Sequence, residues 1–207
     1  MLLKGENMLP IVLDIAGLSV AVVGGGEQAT RRLQMLDAAG AKNVTVYSAD
    51  ACDEMLDLAG ERLTANPISE AEIAKLAVVF VANVTEAEAA RITQIARACK
   101  TLVNVEDVKP QCDFHVPALV RRGDLVLTAS SGGKSPALAR RLKAFLSARF
   151  PESWGAYVEE IGEARENWRK EGLSFKEVTE RSNAMIDQKG WLECQCPLTA
   201  KNNNKSS

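Results

Sequence analysis

The sequence predicts an α/β fold, a parallel sheet covered by helices and followed by a hairpin and a helical C-terminal part. Three observations carry this. A β-branched run, Ser19 to Val23, leads straight into three glycines and an apolar helical pattern. Strand-like and helix-like stretches then alternate up to residue 105, as βαβ units do. After about residue 112 the alternation gives way to a hairpin pattern and then to helices.

The first strand is "SVAVV", Ser19 to Val23. In the helix after it Ala29, Leu33, Leu36 and Ala39 share one face, and Gly40 stops it. "NVTVYS", Asn43 to Ser48, is the second strand. "LAVVFVA", Leu76 to Ala82, is a continuous apolar run, as expected of a strand buried on both faces. Thr85 to Lys100 reads as a helix with Thr85 as N-cap and acidic residues in its first turn. "TLVNV", Thr101 to Val105, is another strand. "FHVPALVRRGDLVLTAS" reads as two short strands joined by an Arg-Gly-Asp turn. Helices follow over Pro136–Phe150, Trp154–Glu171 and Ser174–Met185, with Trp154, Tyr157 and Ile161 on one apolar face. Residues 196–207 are polar, lack periodicity and read as a disordered tail.

Composition narrows the function classes. The chain has 207 residues, 25% of them charged, and a net charge of -2, which points away from a general nucleic-acid binder. No apolar run approaches the ~20 residues of a membrane span. The N-terminus lacks an uninterrupted signal-peptide core, so a soluble, cytoplasmic protein is expected. Five scattered cysteines argue against a disulfide framework. Cys194 and Cys196 have no second pair and no nearby histidine, so a zinc site is not expected.

Gly24-Gly25-Gly26-Glu27-Gln28-Ala29 is G-x-G-x-x-A between a strand and a helix, the context the dinucleotide fingerprint requires. The first glycine allows the tight turn, and the second lets the backbone approach a pyrophosphate. Ala29 lets helix pack on strand, and the helix N-terminus faces the phosphates. This makes the parallel-sheet part a Rossmann-like domain. The ribose ligand belongs about 20 residues later. There Ser48 holds the usual acidic position, Asp50 lies two further on, and no arginine awaits a 2′-phosphate, so NAD is expected over NADP. Asn83 and Val105, at the ends of two predicted strands, complete the candidate cofactor set.

"TASSGGKSPALARR", Thr128 to Arg141, ends like a P-loop but is not one, because Thr128 stands where the first glycine of G-x-x-x-x-G-K-[ST] belongs. Ser135 and Pro136 fit N-cap and first helical position. Ser130, Ser131, Gly132 and Gly133 would present backbone amides there and Lys134 a positive charge, an anion-binding arrangement. A well-capped helix start without a ligand is the alternative.

Together, "LPIVLDIAGLSVAVVGGGEQATRR", "VNVEDVKPQCDFHVPALVRRGDL" and "ASSGGKSPALARRLK" resemble precorrin-2 dehydrogenase, the N-terminal dehydrogenase/ferrochelatase part of siroheme synthase. The resemblance runs clearly from about Met8 to Phe150, and more loosely to about Asn183. It implies oxidation of precorrin-2, a tetrapyrrole, to sirohydrochlorin with NAD+ as hydride acceptor. Some members also insert Fe2+ or take cobalt. It implies a Rossmann-like domain (residues 1–112), a dimerisation region (113–150), a small helical domain (151–195), intertwined homodimers and a cleft between domains as active site. The methyltransferase domain of larger members would be supplied by another protein. The catalytic aspartate of the N-V-x-D segment falls on Asp107, a carboxylate that could take the proton lost as hydride leaves. Glu106 is expected to point elsewhere. The S-x-G-G-x-S-P segment falls on Ser130 to Pro136, where the anion site would meet substrate carboxylates. Arg121, Arg122, Arg140 and Arg141 either add charge there or form a solvated face. His115, the single histidine, replaces an apolar residue of many members; it is either a metal or proton-transfer group or a satisfied core residue. A metal cage is not required, since pyrrole nitrogens can bind the metal. A non-catalytic nucleotide-sensing module is the remaining alternative.

Overall fold

The computed structural model describes residues 8–192. The proposed tail and the Cys194–Cys196 pair lie outside the described residues. The chain divides into two compact units at Val116/Pro117.

The first unit carries a five-stranded sheet in the order β3-β2-β1-β4-β5, all parallel. Its strands are β1 (Ser19–Val23), β2 (Asn43–Tyr47), β3 (Leu63–Thr64), β4 (Val78–Val81) and β5 (Leu102–Val105). Its helices are α1 (Glu27–Ala38), α2 (Asp53–Ala59), α3 (Glu70–Ile73) and α4 (Glu86–Cys99). The apolar run of β4 is buried throughout, as the absence of alternation predicts. Strand alternation sends β1 and β4 residues to opposite layers. Val20, Val22, Val78 and Phe80 pack with Leu33, Leu36 and Met55 of α1 and α2. Ala21, Val23, Val79 and Val81 pack with Ile73, Ile92 and Ala96 of α3 and α4. The result is a sheet between two helical layers.

Capping residues set the element ends. Thr85 Oγ1 accepts from Glu88 N at 3.2 Å, confirming it as the α4 N-cap. Gly40 takes φ +78° one residue past the α1 C-cap, where glycine avoids the Cβ clash of left-handed backbone. The segment after β5 runs back along it: Asp113 N donates to Val103 O (2.8 Å), and Asp113 Oδ2 accepts from Val103 N (3.2 Å). Phe114 then meets Phe80 edge-on at 5.4 Å.

In the second unit β6 (Ala118–Arg122) and β7 (Leu125–Ala129) form an antiparallel hairpin about Gly123-Asp124, as predicted. Helices α5 (Pro136–Arg149), α6 (Trp154–Lys170) and α7 (Phe175–Lys189) follow. α7 runs to Lys189 rather than Met185, because Gly190 (φ +63°) is its C-cap. Ring contacts run from Phe150 to Trp154 (5.0 Å), Tyr157 (5.7 Å) and, stacked, Trp191 (4.8 Å). Arg122 ties the hairpin to the end of α5. Its Nε donates to Phe150 O (2.7 Å) and its Nη2 to Ser147 Oγ (2.8 Å). Arg122 is therefore a structural residue, whereas Arg121, Arg140 and Arg141 are exposed.

Candidate functional site

The glycine loop joins β1 to α1 at the C-terminal edge of the sheet, where open α/β sheets bind their ligands. Gly24 has φ +118°, and a Cβ there would sit 1.7 Å from Ala82 O. A Cβ on Gly25 would meet Ser48 Oγ at 2.3 Å and Ala51 Cα at 2.5 Å; one on Gly26 would meet Asn83 Cγ at 2.7 Å. All three glycines are thus required by the protein's own packing. This revises the reason given for the second glycine: the space beside it is filled by the β2–α2 loop.

Asn83 follows β4 in left-handed backbone (φ +57°), a conformation asparagine tolerates. Its Oδ1 accepts from both Gln28 N and Ala29 N at 3.1 Å, and its Nδ2 donates to Gln28 Oε1 at 2.9 Å. The candidate cofactor residues Gln28 and Asn83 therefore clasp each other. Two amides at the start of α1 are already occupied. Exposed Glu27 pairs with Arg31.

Ser48 is buried; its Oγ donates to Asp50 Oδ1 (3.2 Å) and accepts from Asp50 N (3.4 Å). Gly24, Ser48, Asp50, Asn66, Asn83 and Glu88 help line an open cavity of about 460 Å³ at the ends of β1, β2 and β4. That volume is in the range of ligand pockets. Tyr47 lines it too, its hydroxyl 3.3 Å from Glu72 Oε1. Burial, then the Glu72 carboxylate, raises the Tyr47 phenol above its ordinary value.

Val105 ends β5, and a turn follows it. Glu106 N donates to Val81 O (2.9 Å) and Val108 N to Val105 O (3.3 Å). Asp107 is exposed and left-handed (φ +59°) within this turn. Glu106 turns aside to Arg32 of α1, which donates to Glu106 Oε2 from Nε (3.0 Å) and Nη2. Cys112 Sγ donates to Val105 O (3.0 Å) and Val108 O (3.4 Å). Burial pushes this thiol up, so it keeps the proton it donates. Neither Arg32 nor Cys112 was singled out from the sequence. Arg32 is separated from Glu106 by 74 residues of sequence, and Cys112, though close to its acceptors along the chain, has no spacing that marks a site.

The second unit holds Ser130, Ser131, Gly132, Gly133 and Lys134 between β7 and α5. Gly132 (φ +61°) and Gly133 (φ +75°) are consecutive left-handed residues, which explains the glycine pair. Ser131 Oγ accepts from Ser135 N (2.9 Å) and donates to Ser135 O (3.0 Å). Ser130 Oγ accepts from Gly132 N (3.2 Å), and Lys134 N donates to Ser131 O (3.1 Å). Ser135 Oγ caps α5 through Leu138 N (3.2 Å), with Pro136 as first helical residue. The loop's hydroxyls thus shape the loop, while Lys134 is exposed. His115 is exposed as well, which removes its core reading. Among the described residues no cluster of His, Cys, Asp or Glu is built to hold a metal ion. No helix among them is long and apolar enough to cross a membrane.

A family model described as NAD(P)-binding matches residues 11–118. The chain is 36% identical over 167 residues to a siroheme synthase of Nitrosospira multiformis, covering 77% of this chain and 35% of the relative. It is 34% identical over 178 residues to that of Neisseria meningitidis serogroup C, covering 84% and 36%. The chain thus spans about a third of the length of these curated relatives. A solved structure titled SirC, precorrin-2 dehydrogenase, matches with a TM-score of 0.72 and 28% identity, over 89% of this chain and 92% of that one.

Proposed function

The chain belongs to the NAD(P)-binding family that residues 11–118 match, and from that membership we propose that it oxidises precorrin-2 to sirohydrochlorin with NAD+. The carrying observation is the similarity to the precorrin-2 dehydrogenase SirC over nearly the whole of both chains. Siroheme synthase relatives at 32–37% identity agree with it.

The residues of the first unit fit a dinucleotide. Its cavity has a suitable size and a polar rim, and beside the amides taken by Asn83 those of Gly26 and Glu27 make no hydrogen bond among the described residues. Asp50 and Glu88 line the cavity, and no lysine or arginine is among its described lining residues. A 2′-phosphate would face the Asp50 carboxylate there, with Glu88 already paired to Arg91, which favours NAD over NADP. When bound, NAD+ supplies the hydride acceptor. The oxidation removes a hydride and a proton from the macrocycle, and Asp107 is the carboxylate that takes the proton. Ser130 to Lys134, with the Lys134 ammonium, receive carboxylates of the substrate. A second activity, iron insertion, is favoured by the relatives named siroheme synthase. It would proceed at the pyrrole nitrogens of the product.

The active form in this reading is a cytoplasmic homodimer. Of the hydrophobic residues from 117 to 192, only Val120 and Val178 are buried. Leu138, Leu142 and Phe145 form an exposed apolar stripe on α5 at helical spacing. A second copy would cover it.

Anaerobic turnover of precorrin-2 with and without NAD+, followed by the sirohydrochlorin spectrum, tests the reading. NAD+-dependent product is expected, and Fe2+ added to that product then tests iron insertion. NAD binding with no product would favour the nucleotide-sensing alternative.

A further inference from the structure

We infer that Arg32 and Glu106 are positioning residues that hold the turn from which Asp107 addresses the substrate. This rests on the dehydrogenase reading above, since it gives the pair a role relative to Asp107.

The Asp107 carboxylate has no hydrogen bond or ion pair among the described residues, so the turn's backbone, which fixes its Cα–Cβ direction, is what aims it. That backbone is a tight turn from Val105 to Val108, closed by the Val108 N to Val105 O bond. Its central residues are Glu106 and the left-handed Asp107. Glu106 is the residue of the turn whose side chain is tied to another element. Arg32 grips one oxygen, Glu106 Oε2, with two nitrogens, across 74 residues of sequence.

Burial makes this grip matter. The side chains of Arg32 and Glu106 are 21% and 23% exposed. By contrast, the neighbouring Arg31–Glu27 pair on the same helix is 69% and 71% exposed. An exposed pair is screened and floppy, whereas a mostly covered one is held by its partner and leaves an uncompensated charge if that partner goes. The location matters too. Arg32 belongs to α1, whose N-terminus carries the glycine loop. One ion pair therefore fixes the catalytic turn to the helix that carries the cofactor loop. Hydride acceptor and proton acceptor must act on the same substrate, so their spacing must be kept, and small displacements are costly to rate.

The experiment is a double-mutant cycle. Arg32→Ala, Glu106→Ala, the double variant and Glu106→Gln are assayed with NAD+ and precorrin-2, with NAD affinity and melting temperature as controls. Each alanine variant is expected to lower kcat about tenfold, with NAD affinity and the KM for precorrin-2 within about twofold. The double variant should be no worse than the worse single one, because the pair acts as a unit. Glu106→Gln, which keeps an acceptor for Arg32, should recover much of the rate. Hydrogen exchange at residues 105–108 should quicken in both alanine variants, and this reads the brace without turnover. Wild-type kcat in the single variants, additive losses, or unchanged exchange would each overturn the inference. An inactive wild-type protein with quickened exchange in the variants would instead count against the dehydrogenase reading and leave the brace standing.

Discussion

At Asp107 the chain keeps an aspartate in left-handed backbone, where most residues would be strained. Asparagine tolerates that conformation equally and differs by the lost charge. Asp107→Asn should therefore keep the melting temperature and NAD affinity while lowering turnover by ~100-fold or more. Unchanged turnover would remove Asp107 from the mechanism. Gly24 carries a different constraint, the approach of Ala82 O to the place of a Cβ. Gly24→Ala should cost a few kcal/mol, roughly 2–4, read from the denaturation midpoint, with NAD binding lost as well. A near-native midpoint would refute that account. The spacing of the glycines made them visible in the sequence. What they pack against was not visible, because Ala82, Ser48 and Asn83 reach the loop from other strands. The Arg32–Glu106 pair was hidden for the same reason.

Elements were legible where they were long or uniformly apolar. β1, β2, β4, β5, α1 and α4 have a full strand or several turns of pattern, and the hairpin announces itself through Gly123. The stretch from Asp53 to Ile73 carries no pattern long enough to read. α2 has 7 residues, α3 has 4 and β3 only 2. Two turns or fewer give periodicity no room, and β3 exists by pairing with Val46 and Tyr47 rather than by its own propensity. Caps, in contrast, act locally. Ser135→Ala should destabilise the second unit by about 1 kcal/mol, measured by its thermal melt, through the lost bond to Leu138 N. At α4, Arg91 donates to both carboxylate oxygens of Glu88 (2.8 and 2.7 Å) and lowers its pKa. A depressed folded-state pKa means stability present above the ordinary glutamate value and lost as pH falls through the lowered one. Glu88→Gln should thus flatten the decline of stability below about pH 4.5, at the cost of the pair at neutral pH. Equal slopes in wild type and variant would show the pair to be idle.

At the scale of the molecule the two units differ in how they are held. The first buries a core on both faces of its sheet. The second has few buried apolar side chains and a bare stripe at Leu138, Leu142 and Phe145. The proposed homodimer would offset that imbalance, since a unit of this size gains stability from surface buried against a second copy. Phe145→Asp should shift the protein from dimer to monomer in sedimentation and lower its melting temperature. A monomeric wild type would reject the dimer outright.

The sheet order has one more consequence, for assembly of the chain during synthesis. β1 sits at the centre of the sheet, between β2 and β4. One edge of it can pair soon after it leaves the ribosome, but the other waits until β4 has been made. Ala82 and Asn83, which close around the glycine loop, arrive with that late strand. The nucleotide loop, though encoded early, is therefore completed only once β4 and Asn83 have been made, and nascent chains halted before β4 should hold no dinucleotide.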